Sequence, residues 1–299
     1  MRKNMIFCIL LISVFLSDRI PLVVIDSSSD GLLVYIIMQR YITSFYSFDL
    51  HSGATTPLTS ENVRGYSPTW SPDGCRIAYV SGIDIFVLDL ATGLKTNLTG
   101  QFRPDRSLYR YPSWSPDGAY MAYSSNSGGE FGLYILDIEN MKEARLTDAD
   151  IITGSSTWSP DSNYLVFEGR IDNGSSGVFS IRIDGTDIQE IYNHGGGDYT
   201  PALSPDGEKI AFSSNQHDSW DIYVMNADGS DVKRLTFDEG TDGEPDWSPD
   251  GERIAFSSNR GGNWELYIMN ADGSDVQQLT DESFVISQSP RWQPTACKV

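Results

Sequence analysis

Ser204–Thr236 reads SPDGEKIAFSSNQHDSWDIYVMNADGSDVKRLT, and Ser248–Thr280 reads SPDGERIAFSSNRGGNWELYIMNADGSDVQQLT. The two stretches are nearly identical and start 44 residues apart. Working outward, Ser-Pro-Asp-Gly recurs at 71–74 and 115–118, with Ser159-Pro160-Asp161-Ser162 as a variant. The copies step by 44, 44, 45 and 44 residues. An apolar residue precedes each turn: Trp70, Trp114, Trp158, Leu203 and Trp247. Trp292-Gln293-Pro294 follows one period later, and Ser28-Ser29-Asp30-Gly31 is a degenerate copy about one period before the first.

Further columns repeat in phase. A short apolar run follows each turn: Leu33-Val34-Tyr35, Ile77-Ala78-Tyr79, Met121-Ala122-Tyr123, Leu165-Val166-Phe167, Ile210-Ala211-Phe212 and Ile254-Ala255-Phe256. A second run comes next, at 45–49, 85–89, 133–137, 178–182, 222–226 and 266–270. Leu-Thr then appears at Leu58, Leu98, Leu146, Leu235 and Leu279, with Ile191-Tyr192 in the fourth copy. Short runs rich in β-branched and aromatic residues are strands, and Asp-Gly between them supplies a turn with positive φ. Each unit therefore reads strand, turn, strand, loop, strand, turn, strand. A period of 40–45 residues with four strands per unit predicts a β-propeller. The fold class is all-β, with six four-stranded blades.

Closure of the ring follows from the count. The first unit has a poor leading strand, while the chain ends on a spare one, 287–292. The reading places this C-terminal strand in the first blade, with Ile20–Ile25 competing for the same slot. Cys75 and Cys297 each lie five residues past their Trp, at equivalent positions on neighbouring blades. A disulfide between them stays open, because equivalent atoms of adjacent blades often exceed the ~7 Å Cα limit.

The chain has 299 residues, 21 Lys+Arg and 41 Asp+Glu, giving a net charge of −20. Of the 41 acids, 29 are Asp, a turn residue, so much of the charge belongs to the repeated turns. This balance excludes nucleic acid as a primary partner and direct binding to an anionic membrane surface. Met1–Arg19 has a cationic start and an apolar run over 5–16, which reads as a signal peptide or a short N-terminal anchor. The remainder, 20–299, reads as one propeller domain, expected to be monomeric.

The pattern Pro-x-Trp-Ser-Pro-Asp-Gly, then Ile-Ala-Phe, an Ile-Tyr-Val-Met-Asn run, Asp-Gly and Leu-Thr resembles the TolB-like, PD-repeat (WD40-like) family of six-bladed propellers. The resemblance covers about Leu33 to Pro294. It implies a periplasmic or secreted protein. TolB itself carries a separate N-terminal domain, and about twenty residues precede the repeats here. Prolyl-oligopeptidase-type enzymes share the repeat, but the sequence contains no G-x-S-x-G nucleophile motif.

Candidate chemistry is sparse. His51, His194 and His217 lie in different loops without metal-ligand spacing, so no metal site is expected. Asn226–Asp231 and Asn270–Asp275 share alternate carboxylates with calcium loops, but the early Gly and the missing Glu favour plain hairpins. No cofactor and no catalytic residue is assigned. Symmetry breaks in the segments leading into the innermost strands. Arg64, Tyr66, Arg103, Arg106, Tyr109, Arg110 and Tyr111 come from two of them. Asp198, Tyr199, Asp238, Glu239, Asp242 and Glu244 come from two others. Arg and Tyr are hot-spot residue types, so Arg64, Tyr66, Tyr109, Arg110, Asp198, Tyr199 and Asp242 are the expected partner-binding set at the channel mouth. The leading expectation is a scaffold for a protein or peptide partner in the cell envelope. The alternatives are a lyase or hydrolase acting on a saccharide or peptide, with Asp198 and Asp242 as its carboxylates, and a stand-alone sensory or structural module.

Overall fold

The computed structural model describes residues 32–39, 42–59, 63, 65–102, 107–171, 174–217, 219–281, 286–294 and 297. The signal or anchor reading of 1–19 and the competing strand Ile20–Ile25 lie outside these residues. Six separate four-stranded antiparallel sheets form the blades of a propeller. Blade II shows the plan, with strands Gly65–Trp70, Arg76–Ser81, Asp84–Asp89 and Lys95–Asn97 running from the axis outward. The innermost strands of blades III to VI are Tyr109–Trp114, Ile151–Trp158, Asp198–Leu203 and Asp242–Trp247. In blade I the axial position is filled by Ile286–Trp292, which pairs with Leu32–Gln39. Trp292 lies opposite Leu33 and Ile286 opposite Met38. The C-terminal strand thus closes the ring as the repeat count requires.

Each recurring motif has a local job. In the Ser-Pro-Asp-Gly turns the serine hydroxyl donates to the aspartate, as Ser115 does to Asp117 at 2.6 Å, and accepts the Tyr120 N–H at 2.9 Å. The aspartate also accepts the N–H two residues on, 3.0 Å for Ala119 to Asp117. Gly74, Gly118, Gly207 and Gly251 adopt φ between +67° and +76°, where a Cβ is penalised. These aspartates are structural, and the hydrogen bonds hold the carboxyl of Asp161 below the usual carboxylate range. The Leu-Thr threonine accepts a third-strand N–H, as Thr236 does from Ile222 at 2.9 Å and Thr99 from Ile85 at 3.0 Å.

The core lies between the blades. Six apolar clusters each join two neighbouring blades, including one that joins Leu33 and Tyr35 of blade I to Ala255 and Leu266 of blade VI. Trp indoles staple adjacent inner strands: Trp158 donates to the Ser113 carbonyl at 2.9 Å and Trp247 to the Ala202 carbonyl at 3.1 Å.

The tail settles the open cysteine question. Cys75 and Cys297 form a disulfide with their Cα atoms 4.7 Å apart. The two are equivalent in sequence but not in backbone path. Blade I takes its second strand from the other end of the chain, so no turn is required after Trp292. Beyond the closing strand, Gln293 and Cys297 both meet the turn of blade II. Gln293 donates there to the Gly74 carbonyl at 2.9 Å.

Candidate functional site: the central channel

The innermost strands are built to bulge. Pro68, Pro112, Pro201, Pro245 and Pro290 stand two residues before the conserved-phase Trp or Leu, and the ladder register shifts around each of them. Proline donates no N–H and is tolerated where an edge strand bulges. The residue before it is left-handed: φ is 52° at Ser67, 51° at Tyr111, 52° at Thr200, 56° at Glu244 and 56° at Ser289. Such a conformation costs about 1–2 kcal/mol for a residue with a Cβ. Repetition around the axis sets an inner ring of residues with distinct chemistry. The channel encloses a cavity of about 420 Å³, lined at this level by Ser67, Tyr111, Ser155 and Thr200. The next level is Thr69, Ser113, Thr157, Ala202, Asp246 and Arg291.

The residues expected at the mouth separate into two groups. Tyr66 and Tyr111 are each 39% exposed. The Arg110 guanidinium lies over the Phe131 ring at 4.4 Å, and Tyr199 packs on Trp220 with centroids 5.0 Å apart. These positions can meet a partner. Tyr109, Asp198 and Asp242 are fully buried. Tyr109 packs edge-on to Tyr123, centroids 5.4 Å apart. Asp198 contacts His194 Nδ1 at 2.9 Å, and Asp242 accepts from Arg260 at 2.8 Å. Arg260 is also paired with Asp238 at 2.7 Å. As the first residue of its inner strand, each of the three faces into the blades rather than the opening, because strand side chains alternate. Arg64, Arg103 and Arg106 lie outside the described residues.

The structure also shows Phe237, Glu168 and Asp246, which the sequence reading did not single out, beside Glu244 and Tyr111, which it did. Phe237, 71% exposed, projects from the loop between blades V and VI with Arg234 over its ring at 5.0 Å. Glu168, on the second strand of blade IV, reaches under Gly154, where a Cβ would collide with its Oε2. Burial pushes its carboxyl up to about 7, against the pull of the Ser155 and Thr200 N–H groups and the Arg170 charge. Glu244 accepts the Ser289 N–H at 2.8 Å, the Ser289 hydroxyl at 2.9 Å and the Ser257 hydroxyl at 3.1 Å. Deeper in, burial raises Asp246 to about 6, opposed by Arg291 and by the Trp292 N–H. Tyr111 is raised by burial and by the charge of Glu168.

Among the described residues no group of three or more His, Cys, Asp or Glu is placed to share an ion. His217 is hydrogen-bonded to the Tyr223 hydroxyl at 2.6 Å. In the Asn226–Asp231 hairpin, Asp228 accepts the Ser230 N–H at 3.0 Å, an ordinary turn contact. No helix among the described residues is long and apolar enough to cross a membrane.

The family model described as the TolB beta propeller domain, PD40, matches residues 49–199 and 172–299. The chain belongs to this family. An uncharacterized protein of Agrobacterium fabrum is 30% identical over 170 residues, 57% of this chain and 43% of that protein. The Tol-Pal system protein TolB of Francisella tularensis is 39% identical over 83 residues, 27% of this chain and 18% of that protein. The match thus spans less than half the length of these curated relatives. TolB of Acinetobacter baumannii superposes with a TM-score of 0.76 at 22% identity, covering 90% of this chain and 68% of that one. A putative TolB from Agrobacterium tumefaciens gives 0.72 at 24% identity, covering 87% and 92%. At these identities the two solved structures speak for the fold of this TolB-type propeller.

Proposed function

We propose that this TolB-type propeller is an extracytoplasmic docking module, which binds a protein or peptide partner at the channel mouth by shape and charge, without chemistry on the partner. The observation that carries the reading is a rim of exposed Tyr66 and Tyr111 with the half-buried, cationic Arg110 between them in chain order, on an otherwise repetitive ring. The disulfide supports an oxidising compartment, as does the signal-like start at Met1–Arg19. The Tol-Pal name of one relative supports an envelope setting. Against an enzyme that uses Asp198 and Asp242, both carboxylates are buried and already held by His194 and Arg260.

Capture of partners from an extracytoplasmic extract tests the reading. Tyr66→Ala and Arg110→Glu change the rim without touching a buried ion pair. The expected result is loss of the specifically captured partner by both variants, with the melting temperature unchanged. Undiminished capture by both would remove the mouth from consideration.

A further inference from the structure

At the level of the bulges the channel carries charge of one sign. Glu244 holds a ring position itself, equivalent to Ser67, Tyr111 and Thr200. Glu168 comes to the same level through the gap that Gly154 leaves, where other blades carry Tyr66, Arg110 and Tyr199. It accepts the backbone N–H groups of Ser155 and Thr200, both of which line the cavity. A carboxylate offers about four lone-pair sites, so Glu168 keeps acceptor capacity beyond these two bonds. A second observation points to a missing donor. Ser155 is only 8% exposed, lines the cavity, and its hydroxyl has no hydrogen-bond partner; the same holds for the hydroxyl of Ser156 beside it. A buried polar group left so is unfavourable, and a ligand that bonds it recovers that cost. Tyr111 presents its ring at this level, close enough to feel the charge of both Glu168 and Glu244. One level deeper Arg291 stands beside Asp246 and makes a floor that turns back a further cation.

We propose that this ring is a receptor for one cationic side chain, a lysine or arginine presented by the partner segment that enters the mouth. The ammonium or guanidinium donates to Glu168, Glu244 and the Ser155 hydroxyl, and its stem lies against the Tyr111 ring. The Arg291 floor sets how deep it goes. Two carboxylates with hydroxyls and an aromatic ring make a set suited to an organic cation rather than to a metal ion, which takes more oxygen ligands. The inference rests on the docking reading and names what the mouth selects.

The test titrates the purified, oxidised protein with the peptide acetyl-Gly-Gly-Lys-Gly-Gly-amide, its arginine counterpart, and the uncharged norleucine counterpart. Saturable binding of the lysine or arginine peptide is expected, at least tenfold tighter than norleucine. Glu168→Gln combined with Glu244→Gln is expected to abolish that preference. Tyr111→Ser keeps both carboxylates, changes a partly exposed residue and is expected to weaken binding three- to tenfold. Equal binding of the norleucine peptide, or no saturation with any peptide, overturns the proposal. So does calcium chloride alone filling the site and excluding the lysine peptide. Loss of peptide preference with partner capture intact refutes only this inference. Lysine binding intact with partner capture indifferent to Tyr66 and Arg110 refutes only the docking reading.

Discussion

Replacing both cysteines, Cys75→Ala with Cys297→Ala, removes a cross-link between residues 222 apart in sequence. In the chain-entropy picture a loop of that length restricts the unfolded chain by about 5 kcal/mol at 25 °C, the upper end of what disulfides deliver. A propeller of this size has a transition entropy of about 0.6 kcal/mol/K, so a loss of about 5 kcal/mol lowers the melting temperature by about 8 °C. The folded state loses little else, since the C-terminal strand keeps its ladder to Leu32–Gln39 and the Gln293 contact to Gly74. Scanning calorimetry of wild type and double variant, each with and without a phosphine reductant, reads the effect. Wild type with reductant should match the variant, and the variant should ignore reductant. A variant melting within about 1 °C of wild type would show that the unfolded chain gains no freedom from the cut. A variant that still responds to reductant would place the effect elsewhere.

Glu168 makes stability fall as pH rises. Its carboxyl is raised to about 7 in the folded state from an ordinary 4.5, so the folded protein keeps a proton that the unfolded chain releases. The full stability is present below pH 4.5 and about 3 kcal/mol is lost by the time pH passes 7. Denaturant titrations of Glu168→Gln should show that slope removed across pH 4.5–7; an unchanged slope contradicts the burial argument. Asp242→Ala leaves Arg260 buried with one of its two carboxylates gone, and should cost about 3–5 kcal/mol in urea unfolding. A neutral result there would mean that Asp242 is not a structural ion-pair member. Thr236→Val strands the Ile222 N–H and should cost about 1–3 kcal/mol in the same assay; amide exchange at Ile222 faster than in wild type would locate the loss.

Much of the fold is legible in the sequence because the motifs act locally. A Ser-Pro-Asp-Gly turn is closed by its own side chains, and a Leu-Thr threonine bonds an N–H of the strand beside it, so a short window carries the whole instruction. The site is less legible because it depends on which way a strand residue points and on the neighbouring blade. Asp198 and Asp242 read as carboxylates at a mouth, yet they occupy the first inner-strand position, where alternation turns them into the blade. Glu168 sits in a column that holds Val80, Ser124, Ser213 and Ser257 in other blades. A lone acid in that column, beside Gly154 where three other blades carry Tyr66, Arg110 and Tyr199, was the available signal. The disulfide depended on how close Cys297 comes to the blade II turn, a distance that no repeat column encodes.

Blades V and VI are close to interchangeable, and that similarity creates a hazard for folding. A strand of one fits the sheet of the other, so a ring one blade short or one blade shifted is a plausible kinetic trap. The C-terminal seam discriminates against such rings. Ile286–Trp292 must reach Leu32–Gln39, and Cys297 must reach the blade II turn, which is possible only when the intervening blades are present in number and order. The oxidised cysteine pair is therefore a chemical record of correct assembly. In a refolding mixture, chains with free thiols at Cys75 and Cys297 should be the miscounted ones, and thiol labelling separates them from finished propellers.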